Sequence, residues 1–391
     1  MKKIGVFLVI IFLVVTLLCI SNKNDDVRSN KIIKEKRGVF VSYIEIGRYL
    51  KSKDVDSSKK EIDKIISNIN NMGFNMIILQ IRSFADAIYY SDIFPWSYLV
   101  SGQEGVDPGY DILEYFIECA HKNNIQLYGW INPYRVRSNT DISSISNKSP
   151  AYKYIDTDTL YVNNGIYFNP SKSEVEKLVV DGVREVVSKY DIDGILFDDY
   201  FYPDSDIDIE DYNNYIENNS ISLNDYHLMI INNMIKKVHE VCKKYNKKFG
   251  VSPDGNIDNN YSKIFADVRE WGKSDEYVDF LMPQVYYGFF NEARSFVEAV
   301  NEWRKLVSSD KVELYFALAF YKVGSIDVWA KNGREEWLNS NNIIMREVII
   351  LRNIKNYKGF ALFRYDHMFN SEYFTDKTMD EIKNLEKILD I

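Results

Sequence analysis

Eight runs rich in β-branched and aromatic residues recur along the chain, each followed by a segment of helical periodicity, and this alternation restricts the fold more than any other feature. The runs are VFVSYIEI (39–46), NMIILQIR (75–82), IQLYGWIN (125–132), DGILFDDY (193–200), KFGVSP (248–253), VDFLMPQVYY (278–287), ELYFALAFY (313–321) and GFALFRYD (359–366). Most are nearly continuous apolar stretches, the pattern of parallel strands covered on both faces. Between them, Ile112, Leu113, Phe116, Ile117 and Ala120 form one helical stripe, with Asp107-Pro108 as its expected start. Ser222-x-x-Asp225 resembles a capping box, and Phe296, Val300, Trp303 and Val307 recur at helical spacing. Strand–helix alternation repeated in this way predicts an α/β fold, a single (β/α)8 TIM barrel over residues 37–391.

Loop lengths indicate the working end. Helix-to-strand connections are short, whereas strand exits run to about 24 residues after the second run, about 37 after the third and about 20 after the fourth. Long strand exits build the C-terminal mouth, where barrel active sites lie.

Met1-Lys2-Lys3 precedes an apolar run from Ile4 to Ile20, so residues 1–21 are expected to be a signal-anchor or signal peptide and 22–36 a polar tether. Leu18 stands where a lipid-anchoring Cys19 wants a small residue. The expectation is an extracytoplasmic barrel, membrane-anchored or secreted. Cys119 and Cys242 then read as buried thiols on helices rather than a disulfide. A net charge of −9 argues against nucleic acid as a partner. Four histidines and three cysteines offer little for a metal site, and no cofactor is expected. The sequence carries no signal for oligomeric state.

Polar and aromatic groups gather at the strand ends: Arg82 and Asp86 after the second run, Trp130, Asn132 and Tyr134 at the third, Asp198, Asp199 and Tyr200 at the fourth, Gln284 and Tyr286 at the sixth. Carboxylates supply acid and base chemistry, amides and Arg hold hydroxyls, and aromatic faces stack on sugar rings. Strand alternation places Gly194, Leu196 and Asp198 on one face and Ile195, Phe197 and Asp199 on the other, so the two aspartates are not expected to line the lumen together. A glycosidase needs a second carboxyl group, and Glu45, Asp86, Asp254 and Asp366 remain open as its source, with Glu45 and Asp366 carried forward beside the two aspartates. Structural readings stand beside these: Arg82 and Asp86 as a loop brace, Asn132-Pro133-Tyr134-Arg135 as a turn, Tyr286 as core.

The strand at 193–200 is similar to the DGxDxDxE strand of family 18 chitinases, which implies that Asp198, on one motif aspartate, faces the lumen, but Tyr200 stands at the position of the catalytic glutamate. A more extensive likeness comes from RGVFVSY (37–43), GFNMIILQIRSFADAIYYSDIFPWSYLVSGQEGVDPGYD (73–111), NPYR (132–135), FDDYFYP (197–203), GVSP (250–253) and MPQVYYG (282–288). Together these resemble the glycosyl hydrolase-like 10 family over roughly residues 36–330. The resemblance implies a TIM-barrel hydrolase of envelope glycans or other polysaccharides, with peptidoglycan glycan strands favoured. It implies cleft positions at Arg82, Asp86, Asn132, Tyr134, Asp198, Asp199, Gln284 and Tyr286. After GVSP the chain departs from the family pattern with Asp254-Gly255-Asn256, which implies a remodelled subsite wall. The leading expectation is a glycoside hydrolase using carboxylate acid/base catalysis. The rival is a non-catalytic glycan-binding or scaffold barrel; a metal-dependent deacetylase ranks third.

Overall fold

A computed structural model describes residues 35–389. The expected signal segment and nearly all of the tether lie outside the described residues. Eight parallel strands close into a barrel: β1 (Lys36–Val41), β2 (Met76–Arg82), β3 (Gln126–Ile131), β7 (Gly194–Phe197), β8 (Lys248–Val251), β9 (Phe280–Leu281), β10 (Glu313–Leu318) and β11 (Tyr357–Leu362). Each pairs with the next in sequence, and β11 returns to β1. The remaining strands, β4 (Arg135–Arg137), β5 (Leu160–Val162) and β6 (Ile166–Phe168), form a small antiparallel sheet within the long exit of β3.

Helices α1 (Val55–Asn71), α2 (Ile112–Lys122), α3 (Ser173–Lys189), α4 (Leu223–Lys244), α5 (Val268–Trp271), α6 (Phe296–Leu306), α7 (Ile343–Leu351) and α8 (Asp376–Leu389) come after the barrel strands in turn. The α5 position is a single turn of four residues. Strand side chains alternate between two cores. Phe40, Ile78, Tyr128, Trp130, Leu196 and Phe280 fill the lumen, while Val39, Ile77, Leu127, Ile195 and Phe197 pack outward against helices. Gly194 and Gly250 make the lumen roomy enough for rings: a Cβ on Gly194 would meet Tyr128 at 2.6 Å, and one on Gly250 would meet Phe280 at 2.3 Å.

Element ends differ from the sequence reading where local chemistry intervenes. β1 stops at Val41 because Ser42 caps the helix Tyr43–Tyr49 through a capping box with Glu45. β9 is cut to two residues ahead of Pro283, which has no N–H to donate, although Gln284 bridges to Asp254 and Ala317 beyond it. β11 ends at Leu362, and Asp366 sits on the short helix Tyr365–Phe369. The start of α2 is Asp111, which caps Glu114, whereas Asp107 instead accepts from the Gly109 N–H in a turn. Cys242 is buried, but Cys119 is half-buried, with its thiol 3.4 Å from Asp63. No helix among the described residues is long and apolar enough to cross a membrane.

One buried contact between the last helices works against stability at neutral pH. Glu347 on α7 is fully buried with neither carboxylate oxygen hydrogen-bonded, and Glu381 on α8 is 1 % exposed. Burial raises both carboxyls, and for Glu347 the charge of Glu381 adds to the rise; Glu381 reaches about 7. Because these folded-state values lie above the ordinary range, the fold is favoured below about 4.5 and loses stability as pH rises through about 7. Glu347→Leu should raise the melting temperature at pH 8 by several degrees, corresponding to roughly 1–4 kcal/mol, and by much less at pH 5. Thermal melts at the two pH values check this.

Candidate active site

The C-terminal ends of the strands surround a cleft of ≈ 310 Å³. Phe40 comes from β1 and Ser42, Tyr43 and Ile44 from its exit, Gln80 from β2, Trp130 from β3, Arg135 from the start of β4, Leu196 from β7, and Asp198, Asp199 and Tyr200 from the exit of β7. Ser252, Gln284, Tyr286 and Phe363 complete the ring. Aromatic rings and a few convergent polar groups are the make-up of a small-molecule or sugar site.

Asp198 is buried at 4 % exposure and accepts from the Trp130 indole Nε1 at 2.8 Å and from Asn132 Nδ2 at 3.4 Å. Burial pushes its carboxyl up to about 6, opposed by the Trp130 hydrogen bond and the Arg135 charge. Asp199 is partly exposed and accepts from Gln284 Nε2 at 3.0 Å. Burial, and after it the neighbouring Asp198 charge, pushes Asp199 up to about 7. The expectation that alternation would separate the two aspartates fails, because β7 ends at Phe197 and the pleat no longer governs the residues beyond it. Both carboxyl groups line the cleft.

The remaining expected residues divide by position. Trp130, Tyr200, Gln284 and Tyr286 line the cleft. Tyr200 is 54 % exposed, open to a ligand face. Asn132 lies just behind: its side-chain oxygen accepts the backbone N–H groups of Arg135 and Tyr134, and its amide reaches Asp198. It therefore shapes the turn and supports the carboxylate together. Tyr134 does not reach the cleft, being 1 % exposed with its hydroxyl unpartnered.

Arg82 is likewise displaced. Its parity with Met76, Ile78 and Gln80 suggests the lumen, but the β2–β3 register slips between Gln80 and Arg82. That bulge turns Arg82 outward onto Phe94, at 4.3 Å, beneath Gly182 of α3. Asp86 is buried in the loop after β2, where burial lifts it to about 7 against the hydrogen bond from Ser97 and the charge of Arg137. Glu45 and Asp366 also lie away from the cleft lining. Both are fully buried and share Arg364, while Asp366 accepts from Tyr49 at 2.7 Å and pairs with Arg48 at 3.1 Å. They brace the β1 and β11 exits against each other.

Residues that the sequence reading did not select also line the cleft. Gln80 accepts the Tyr43 backbone N–H at 2.9 Å, anchoring the β1 exit. Arg135 holds its guanidinium 5.5 Å from the Tyr43 ring centroid, 4.8 Å from Phe84 and 5.5 Å from Tyr200. Its Nε donates to Ser83 O at 3.2 Å. The signal for Gln80 was its strand parity, and for Arg135 the NPYR motif itself. No group of three or more His, Cys, Asp or Glu side chains suited to a metal occurs among the described residues.

Fold and mouth together define the class: a (β/α)8 barrel of the glycosidase type, with carboxylates set among amides and aromatic rings. The chain belongs to the glycosyl hydrolase-like 10 family, which it matches over residues 35–337. It is 32% identical over 332 residues to the glycosyl hydrolase YngK of Bacillus subtilis, covering 79% of this chain and 63% of that protein. It is 30% identical over 337 residues to the glycosyl hydrolase DigH of Escherichia coli, covering 78% of this chain and 75% of that one. Among solved structures, the PgaB glycoside hydrolase domain of Bordetella bronchiseptica shares the fold with a TM-score of 0.56 at 10% identity, covering 91% of this chain and 98% of the domain. The β-amylase catalytic domain of Paenibacillus polymyxa does so with the same TM-score and identity, covering 91% and 99%.

Removing the cation beside Asp198 should be measurable directly. Arg135→Gln should raise the apparent pKa of Asp198 above about 6, since the guanidinium holds it down. Carbon-13 NMR titration of the labelled aspartate carboxyl groups reads the shift.

Proposed function

We propose that the protein is a glycoside hydrolase, exported and membrane-tethered through its N-terminal segment, that cleaves a cell-envelope polysaccharide, with peptidoglycan glycan strands favoured. The observation that carries this reading is the presence of two carboxyl groups, both raised towards neutrality, in one aromatic cleft. Asp199, the higher of the two, holds a proton near pH 7 and serves as general acid to the glycosidic oxygen. Asp198, held in its anionic form by Trp130 and Asn132, stabilises positive charge at the sugar carbon or activates the attacking group. The two titrate as a coupled pair, so that near neutrality the pair retains about one proton. Tyr200, Tyr286 and Trp130 offer ring faces to the sugar, Arg135 offers donors to its hydroxyls, and Gln284, whose amide N–H groups bond Asp199 and Ser252, offers its side-chain oxygen as an acceptor.

Such a pair gives a bell-shaped kcat/KM profile. Activity falls as pH drops below about 6, where Asp198 is protonated, and falls again above about 7, where Asp199 loses its proton. A pH profile on a soluble glycan checks both limbs.

Residues 37–391 should be incubated with purified peptidoglycan, with glycan strands stripped of peptide and with chitin oligomers, and the products read by mass spectrometry. New reducing ends are expected from the native sequence, and Asp198→Asn or Asp199→Asn should lower turnover about 10²- to 10⁴-fold while glycan binding persists. Measurable glycan binding with no products from any of these would overturn the hydrolase reading in favour of a binding barrel.

A further inference from the structure

The exits of β9 and β10 carry aromatic side chains that the cleft does not use. Trp329 is 81 % exposed and Phe290 67 % exposed. Trp329 is also firmly mounted. Its backbone N–H donates to Asp327 Oδ1 at 3.2 Å, and Asp327, only 4 % exposed, accepts from Lys322 Nζ at 2.8 Å. The same Lys322 nitrogen donates to the backbone oxygen of Tyr286 at 2.8 Å, and Tyr286 is a wall of the cleft. Tyr321, beside Lys322, meets the Tyr286 ring at 5.8 Å. The tryptophan is thus tied through one buried ion pair to the wall of the cleft.

The two loops are also stitched to each other. Glu292 N–H donates to Ala330 O at 3.3 Å, Asn332 Nδ2 donates to the Glu292 carboxylate at 2.9 Å, and the Phe290 N–H donates to Glu336 at 2.8 Å. The seam between the ring-bearing loops is therefore polar. Sugars present apolar ring faces with hydroxyl edges, which matches aromatic faces joined by amide and carboxylate groups better than hydrocarbon does. A chain of net charge −9 is also poorly suited to an anionic bilayer surface.

We propose that Trp329, with Phe290 on the adjoining loop, is a stacking platform for sugar units of a polymeric glycan lying beyond the cleft, so that the enzyme reads chain length as well as the bond it cleaves. This rests on the glycosidase reading for the identity of the polymer, and it adds a distal subsite on the β9 and β10 side of the mouth.

The test compares the native sequence with Trp329→Ala and Trp329→Tyr on peptide-free glycan strands fractionated by length, alongside disaccharide and tetrasaccharide fragments. For Trp329→Ala, the ratio of kcat/KM on long strands to that on short fragments should fall about three- to tenfold, the worth of one ring contact, with Trp329→Tyr retaining most of it. Binding to long strands, measured by co-sedimentation with the Asp199→Asn protein so that the ligand survives, should weaken by the same factor when Trp329→Ala is added. If no turnover occurs on any glycan, the hydrolase reading fails, while a Trp329-dependent loss of binding to long strands still supports the platform. An unchanged ratio with unchanged binding, or no glycan binding at all, overturns it. Loss of binding to phosphatidylcholine–phosphatidylglycerol vesicles in place of glycan would also overturn it and assign the patch to a membrane.

Discussion

Closure of the parallel barrel is the constraint on which everything else depends. Once β11 returns to β1, the barrel sheet has no unpaired edge, and all eight of its strand ends point to one mouth. The lumen must then be filled by side chains from alternate strand positions. Tyr128, Phe280 and their neighbours do so only because Gly194 and Gly250 leave space. On top of that packed layer sits Trp130, edge-on to Phe40 at 5.6 Å, with its indole N–H aimed at Asp198. The chemistry of the cleft therefore rests on the packing beneath it, and the carboxylate is positioned by a side chain that is itself part of the core.

The same architecture distributes charge. Within a short span of the mouth, carboxylates are treated in opposite ways. Glu45 and Asp366 are locked into a dry network in which both share Arg364 and Asp366 also pairs with Arg48. Asp198 and Asp199 have hydrogen-bond donors but no ion pair, so burial dominates and both rise towards neutrality. Carboxyl groups that face the cleft without an ion-pair partner are the ones available for acid–base chemistry, whereas ion-paired ones hold the frame.

Most of the barrel was legible in the sequence because buried parallel strands and amphipathic helices announce themselves by period and length. The illegible remainder depends on single local events. Strand parity identifies Leu196 as lumen-facing, which holds, but misplaces Asp199 because β7 ends at Phe197. Parity also cannot reveal that Ser42 caps a helix and draws Glu45 into its first turn, or that Asp111 rather than Asp107 starts α2. Glu45 and Asp366 are far apart in the chain, and their shared arginine is a tertiary contact that no periodicity reveals. Arg135 lies within a recognised motif, yet its role emerges only when Tyr43, Phe84 and Tyr200 are brought around it.

The slip in β2 has an evolutionary consequence. Gln80 sees the cleft and Arg82, two residues further on, does not, because the β2–β3 register slips between them. Were the register to run on without the slip, alternation would carry Arg82 to the face of Gln80 and set a guanidinium beside the amide at the mouth, with neither residue replaced. Descendants of this chain could thus change the charge that greets a ligand by losing one strand irregularity, and alignments scored by residue identity would not show it.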